Sequence, residues 1–217
     1  MSPRNSDWHR RRVLCVLLAA PTATLAACQG LIPGQGPPPD LYRLTAASRF
    51  PKDLPTVSWQ LLVEPPVAPG GLNTTRIALL HSPMQLEYYA RSDWADRVPL
   101  LVQALIVQSF ENSDRIKAVG RDALDLRADY VLKAELRDFQ AEYFHGGGPV
   151  AHVGLNAKLV ALPRRVIVAS AHFDQTAEAK ADRVEDVVSA FNEALSRVLE
   201  GLVAWTLKSG EADRVAT

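Results

Sequence analysis

The sequence has two cysteines in 217 residues, Cys15 and Cys28, so neither a disulfide scaffold nor a cysteine-rich metal site is open to it. Aromatic residues make up only 7%, too few for the stacking platforms that hold single-stranded nucleic acid. A dominant charge is also lacking, since 24 Lys and Arg balance 24 Asp and Glu. The balance is uneven, because residues 1–27 hold Arg4, Arg10, Arg11 and Arg12 against Asp7, leaving residues 28–217 at about −3. A weakly acidic body has no electrostatic reason to hold a phosphate backbone, which excludes nucleic acid as a partner. What is present, 47% hydrophobic and 22% charged residues, is an ordinary globular composition of a length for one domain or two very small ones.

The first residues read as an address. Trp8-His9-Arg10-Arg11-Arg12 is a positive segment and Val13–Ala23 an apolar run, too short to span a ~30 Å hydrocarbon core but of the size of a signal-peptide core. It ends in Leu25-Ala26-Ala27-Cys28, which resembles the bacterial lipobox. Residues 1–27 are then a signal peptide, and Cys28 receives a diacylglycerol on sulfur and an acyl chain (palmitate) on its new amino terminus. Three chains exceed what stable anchoring requires. The competing reading, a plain secreted protein, leaves the four matched positions to chance. Gln29 stands where inner-membrane lipoproteins typically carry aspartate, so the expected destination is the outer membrane, facing the periplasm.

Residues 28–40 follow as a tether, with four prolines and three glycines in Gln29–Asp40, reaching up to roughly 37 Å if extended at ~3.1 Å per residue. Strand signals begin at Leu41. Leu41–Leu44 reads as a short edge strand, and Val57, Trp59, Leu61 and Val63 alternate as a half-buried one. Arg76–Leu80 and Met84–Tyr89 form a hairpin around His81-Ser82-Pro83. Val98–Asn112 reads as a buried helix capped by Asp96 with Pro99 in its first turn. Leu101, Leu105, Ile106 and Phe110 form its core stripe, while Gln103, Gln108 and Glu111 face elsewhere. Ile116–Val119 is the next strand.

Tyr130–Phe144 is a long strand whose inward set changes parity, from Leu132, Ala134 and Leu136 to Phe139, Ala141 and Tyr143. A β-bulge near Arg137-Asp138 restores one face. After Gly146-Gly147-Gly148-Pro149, Val153, Leu155, Ala157 and Leu159 point inward and His152, Asn156 and Lys158 outward. Ile167, Ala169, Ala171 and Phe173 complete a third antiparallel strand. Val184–Leu207 is an amphipathic helix of about 36 Å capped by Asp182, in which Gly201 implies close packing on the sheet. The fold class is α+β: one domain, residues 41–208, with two helices on an antiparallel or mixed sheet, followed by a polar tail at 209–217.

A search for chemistry finds little. Among the five histidines, His152 and His172 share an outward face and amount to half a metal site, read here as a solvated pair; no metal is expected. Asp122, Asp125 and Asp129 recur every three or four residues but read as a soluble connector rather than glycosidase carboxylates. Ser109 and Ser113 have no histidine or lysine partner in view, and the glycine triplet lacks a following helix to cradle an anion. No catalytic residue is assigned, and the chain is expected not to be an enzyme.

Leu61-Leu62-Val63-Glu64-Pro65-Pro66, then Tyr88-Tyr89-Ala90-Arg91-Ser92-Asp93-Trp94-Ala95, the apolar helix, and Ala128-Asp129-Tyr130-Val131-Leu132-Lys133 resemble the ABC-type transport auxiliary lipoprotein family. The likeness runs from Cys28 to about Leu207, with one extra residue between Arg91 and Trp94. The resemblance implies a non-catalytic lipoprotein of an Mce-type (mammalian-cell-entry, or paraquat-inducible) system that moves lipids or other hydrophobic molecules between membranes. Its partners would be the Mce-domain substrate-binding protein, the ABC permease and the ATPase; no cofactor is implied beyond the acyl chains on Cys28. Tyr88, Tyr89, Arg91 and Trp94 are the expected partner interface, being residue types that anchor interfaces; the opposing reading packs Trp94 and one tyrosine into the core. The second function considered is an outer-membrane assembly or secretion scaffold, with self-association into a homo-oligomer open under both.

Overall fold

The computed structural model describes residues 37–121 and 127–216. The leader, Cys28, most of the tether, Asp122 and Asp125 lie outside the described residues. In chain order the elements are β1 (Asp40–Tyr42), β2 (Val57–Val63), β3 (Arg76–Ser82), β4 (Gln85–Trp94), α1 (Val98–Ser113), β5 (Ile116–Gly120), β6 (Tyr130–Glu142), β7 (Val150–Ala161), β8 (Val166–Glu178) and α2 (Val184–Ala216).

The longest strands organise the sheet. β6, β7 and β8 form an antiparallel meander. The other edge of β6 is shared by two parallel partners in succession: β2 along its first part (Leu61 opposite Tyr130) and β3 along its last (Ala78 opposite Gln140). Val67 bridges Glu135 between them. β5 extends the sheet beyond β2 in parallel, while β4 pairs antiparallel with β3 and carries β1 at its far edge. The sheet is therefore mixed, and it carries two helices, as the α+β reading expects.

The expected bulge is present. Leu136 pairs with Leu155 and Asp138 with Gly154, so Arg137 is the extra residue that returns Phe139 and Ala141 to the buried face. A second register shift, between Leu159 and Val160 of β7, leaves Val168 without an opposite and pairs Ile167 with Val160. Ile167 is thereby separated from Ala169, Ala171 and Phe173 and stands half exposed, a correction to its inward assignment.

Both helices pack on one face of the sheet. Trp94, Phe139 and Phe191 interlock there, with ring centroids 5.1–5.8 Å apart. Helix α1 begins at Val98 with Pro99 at its start, but its N-cap is Arg97 and no side chain caps it; the Asp96 carboxylate instead accepts from the N–H of Arg97. Gln103, expected to face away from the core, is buried, and its Nε2 donates to the Val63 carbonyl at 2.9 Å. Asp182 does not cap α2 but accepts from the Tyr143 hydroxyl. The stretch expected as a polar tail continues α2 to Ala216, because Gly210 is buried against the sheet and Tyr130 donates to its carbonyl and the Asp213 carboxylate. Gly201 lies over Phe173, where a Cβ would come 3.3 Å from the ring, as its close packing predicts.

Candidate functional site

The four residues expected at an interface are divided by the strand that carries them. Trp94 is 1% exposed and belongs to the core with Phe139 and Phe191. Tyr88 and Tyr89, being consecutive, point to opposite faces of β4. Tyr88 donates to the Gly71 carbonyl and lies under the Arg76 guanidinium at 3.9 Å. The Tyr89 hydroxyl meets that of Tyr143 at 2.7 Å, and burial above all pushes its pKa far up. Arg91 is exposed at a φ of +53°. It sits where the β3–β4 register jumps from Ala78 opposite Tyr88 to Arg76 opposite Asp93, so the extra length before Trp94 is taken up as a bulge.

The densest polar constellation lies on the sheet face that the helices leave uncovered, across β6, β7 and β8. Asp138, Gly154 and Asp174 form one cross-strand row, and Gln140, His152 and Thr176 the next. His152 Nδ1 lies 2.7 Å from Glu142 Oε1, and its Nε2 lies 2.9 Å from Asp174 Oδ2. Gln140, itself buried, donates from one Nε2 to both Asp138 Oδ1 (3.1 Å) and Glu142 Oε1 (3.0 Å), while its Oε1 accepts from the Phe139 N–H. His145, from the turn after β6, reaches Glu142 Oε2 at 2.6 Å. His172 stands 3.6 Å from Asp174.

The electrostatics follow from this crowding. Burial raises the Glu142 pKa, but hydrogen bonds from His145, His152 and Gln140 outweigh it and hold the carboxyl below its ordinary range. Burial likewise disfavours the His152 imidazolium, yet hydrogen bonds to Asp174 and Glu142 and the charge of Asp138 raise its pKa above the ordinary value. His152 is therefore held between two carboxylates rather than solvated. The outward parity of His152 and His172 is visible in the sequence; Asp138, Gln140, Glu142 and Asp174 reach the same site only through strand register. Asp129, read as part of a soluble connector, accepts instead from the Gln60 N–H at 2.8 Å and ties β2 to the start of β6.

At the opposite end of the same strands lies a groove of about 660 Å³, lined by Leu62, Val131, Val160 and Ile167 together with Glu64, Lys133, Lys158 and Arg165. Among the described residues no helix is long and apolar enough to cross a membrane.

Comparison with known proteins places this geometry. The family model described as "ABC-type transport auxiliary lipoprotein component" matches residues 42–203, from the end of β1 well into α2. An uncharacterized protein of Bradyrhizobium diazoefficiens, bll6063, is 33% identical over 172 residues. Those residues are 76% of this chain but 45% of the relative, so the chain spans less than half the length of the curated relative it matches. The crystal structure of protein XCC0632 from Xanthomonas campestris is similar at a TM-score of 0.77 and 33% identity, covering 81% of this chain and 98% of that one. A crystal structure of an uncharacterized protein shares the fold at a TM-score of 0.61 and 14% identity, covering 77% and 97% of the two chains.

Proposed function

The chain belongs to the family of ABC-type transport auxiliary lipoprotein components, and from that premise we propose that it serves an Mce-type system moving lipids or other hydrophobic molecules between the inner and outer membranes. It does so without catalysis, anchored in the outer membrane through acyl chains on Cys28 and facing the periplasm. Its partners are the Mce-domain substrate-binding protein, the permease and the ATPase. The observation that supports this reading is the extent of the family match, which runs from the last residue of β1 through β2 to β8 and α1 and into most of α2. A whole domain is shared, not one motif. A domain tethered to one membrane can act as the docking end of a complex rooted in the other, and the exposed β4 bulge at Arg91 is the proposed point of contact, held from within by Tyr89 and Trp94.

The test is affinity purification of the full-length lipoprotein, solubilised in detergent from its native envelope, followed by mass spectrometry. Co-purification of an Mce-domain protein with permease and ATPase is expected. Recovery of a β-barrel or secretion channel without those three would overturn the transport reading in favour of a scaffolding lipoprotein.

A further inference from the structure

The row Asp138–Gly154–Asp174 has a gap at its centre. Gly154 presents no side chain between two aspartates, and a Cβ placed there would fall 2.6 Å from Asp138 Oδ2. Asp138 therefore lies across β7 towards β8, over the space a side chain would fill. His152, two residues before Gly154 on the same face, aims Nε2 into the same space. One ligand atom from each of Asp138, His152 and Asp174 lies within 4.8 Å of the others.

We propose that Asp138, His152 and Asp174 bind a single Zn²⁺ ion, with water completing a tetrahedron. The donor set, one imidazole nitrogen and two carboxylate oxygens, is one that zinc accepts at ~2.0–2.2 Å, which places donors about 3.4 Å apart. His152 Nε2 and Asp174 Oδ2 stand 2.9 Å apart and all three donors lie within 4.8 Å of one another, and Asp174 is 44% exposed at its side chain, with room to adjust. The surrounding residues are arranged as outer-shell partners of metal ligands are. Glu142 takes the Nδ1 side of His152, which directs the Nε2 lone pair at the ion, the carboxylate–histidine–zinc pattern. Gln140 holds Asp138 by Oδ1, leaving Oδ2 over the glycine. Both Glu142 and Gln140 are buried, at 6% and 5% exposure, so the shell is fixed by packing. Three carboxylates, Asp138, Glu142 and Asp174, face His152, a concentration of negative charge that a divalent ion would offset. In this role zinc clips β6, β7 and β8 together.

The groups facing His152 are Asp138 and Glu142 from β6 and Asp174 from β8, with His145 bound to Glu142 and His172 beside Asp174.

The experiment is calorimetric titration of ZnCl₂ into the full chain in detergent after removal of metals with a chelator. One Zn²⁺ per chain is expected, and a melting temperature raised by about 5–10 °C once zinc is a hundredfold above its Kd. His152→Ala and the more exposed Asp174→Asn each lower affinity at least tenfold, and Glu142→Gln lowers it about 10–100-fold while leaving all three ligands in place. Circular dichroism of metal-free Asp174→Asn matches the parent. The proposal is overturned by absence of stoichiometric uptake, by uptake unchanged in both ligand variants (as zinc held elsewhere on the chain would be), or by preference for Ca²⁺ or Mg²⁺ over Zn²⁺.

Discussion

Gly210 on α2 lies so close to Trp59 on β2 that a Cβ on the glycine would fall 2.6 Å from Cζ2 of the indole. The contact explains why α2 runs on past the amphipathic stretch. The indole is 1% exposed and its T-shaped neighbour, the Tyr130 ring at 4.9 Å, donates to the Gly210 carbonyl from its hydroxyl at 3.1 Å. The helix end is a lid over the start of β6.

Gly210→Ala forces the indole or the helix to move. Overpacking of this kind costs about 1–3 kcal/mol, and a melting temperature several degrees lower is expected by circular dichroism. An unchanged melting temperature would show that α2 does not sit against β2 in this way.

Trp94 and Arg91 divide stability from partner contact. Trp94→Ala removes a ring from the cluster with Phe139 and Phe191 and is expected to cost about 3–5 kcal/mol in denaturant unfolding. Arg91→Ala, on the exposed bulge, stays within about 0.5 kcal/mol of the parent while reducing co-purification of the transport components. Undiminished capture by Arg91→Ala would remove the bulge from the interface.

Gln103→Ala removes the donor that reaches the buried Val63 carbonyl between α1 and β2. Leaving that oxygen unpaired costs about 1–3 kcal/mol, read as a lower denaturation midpoint with an unchanged slope. A loss under 0.5 kcal/mol would mean that another group satisfies the carbonyl.

The network at Glu142 and His152 makes stability pH-dependent in a definite direction. Glu142, lowered from 4.5, contributes stability above that value, lost as the pH falls through its lower folded pKa. His152, raised from 6.5, contributes below that value, and the contribution is lost as the pH rises through its higher folded pKa. Both are present between about 4.5 and 6.5. Denaturation of metal-free protein across pH 3–9 is expected to show the parent's advantage over Glu142→Gln largest in that interval. A constant difference across the range would contradict it.

Some of this was legible residue by residue. The bulge at Arg137 shows in the sequence because Leu136 and Phe139 are large apolar residues of opposite parity, and burying both on one face requires an extra residue between them. The shift at Val168 does not show, since Ile167, Val168, Ala169 and Ala171 are all apolar and offer no contrast from which parity can be read. Asp96 and Asp182 carry the right side chain for helix caps, but each makes a different hydrogen bond once the neighbouring Arg97 N–H and Tyr143 hydroxyl are in place.

The sequence by itself determined the α+β class, the strands that alternate cleanly, the apolar stripe of α2 and the family, because these depend on periodicity and on the order of local segments. Tertiary structure alone decided that Trp94 is core while Arg91 is surface, that Gln103 turns inward, and that α2 continues to cover Trp59. It also decided that Asp138, Gln140, Glu142, His152 and Asp174 meet. Those five residues come from three strands, and what brings them together is the pairing register of β6 with β7 and of β7 with β8. Register is set by the bulge, the turns and the buried face jointly, so a polar site on the opposite face is assembled only when the whole sheet is.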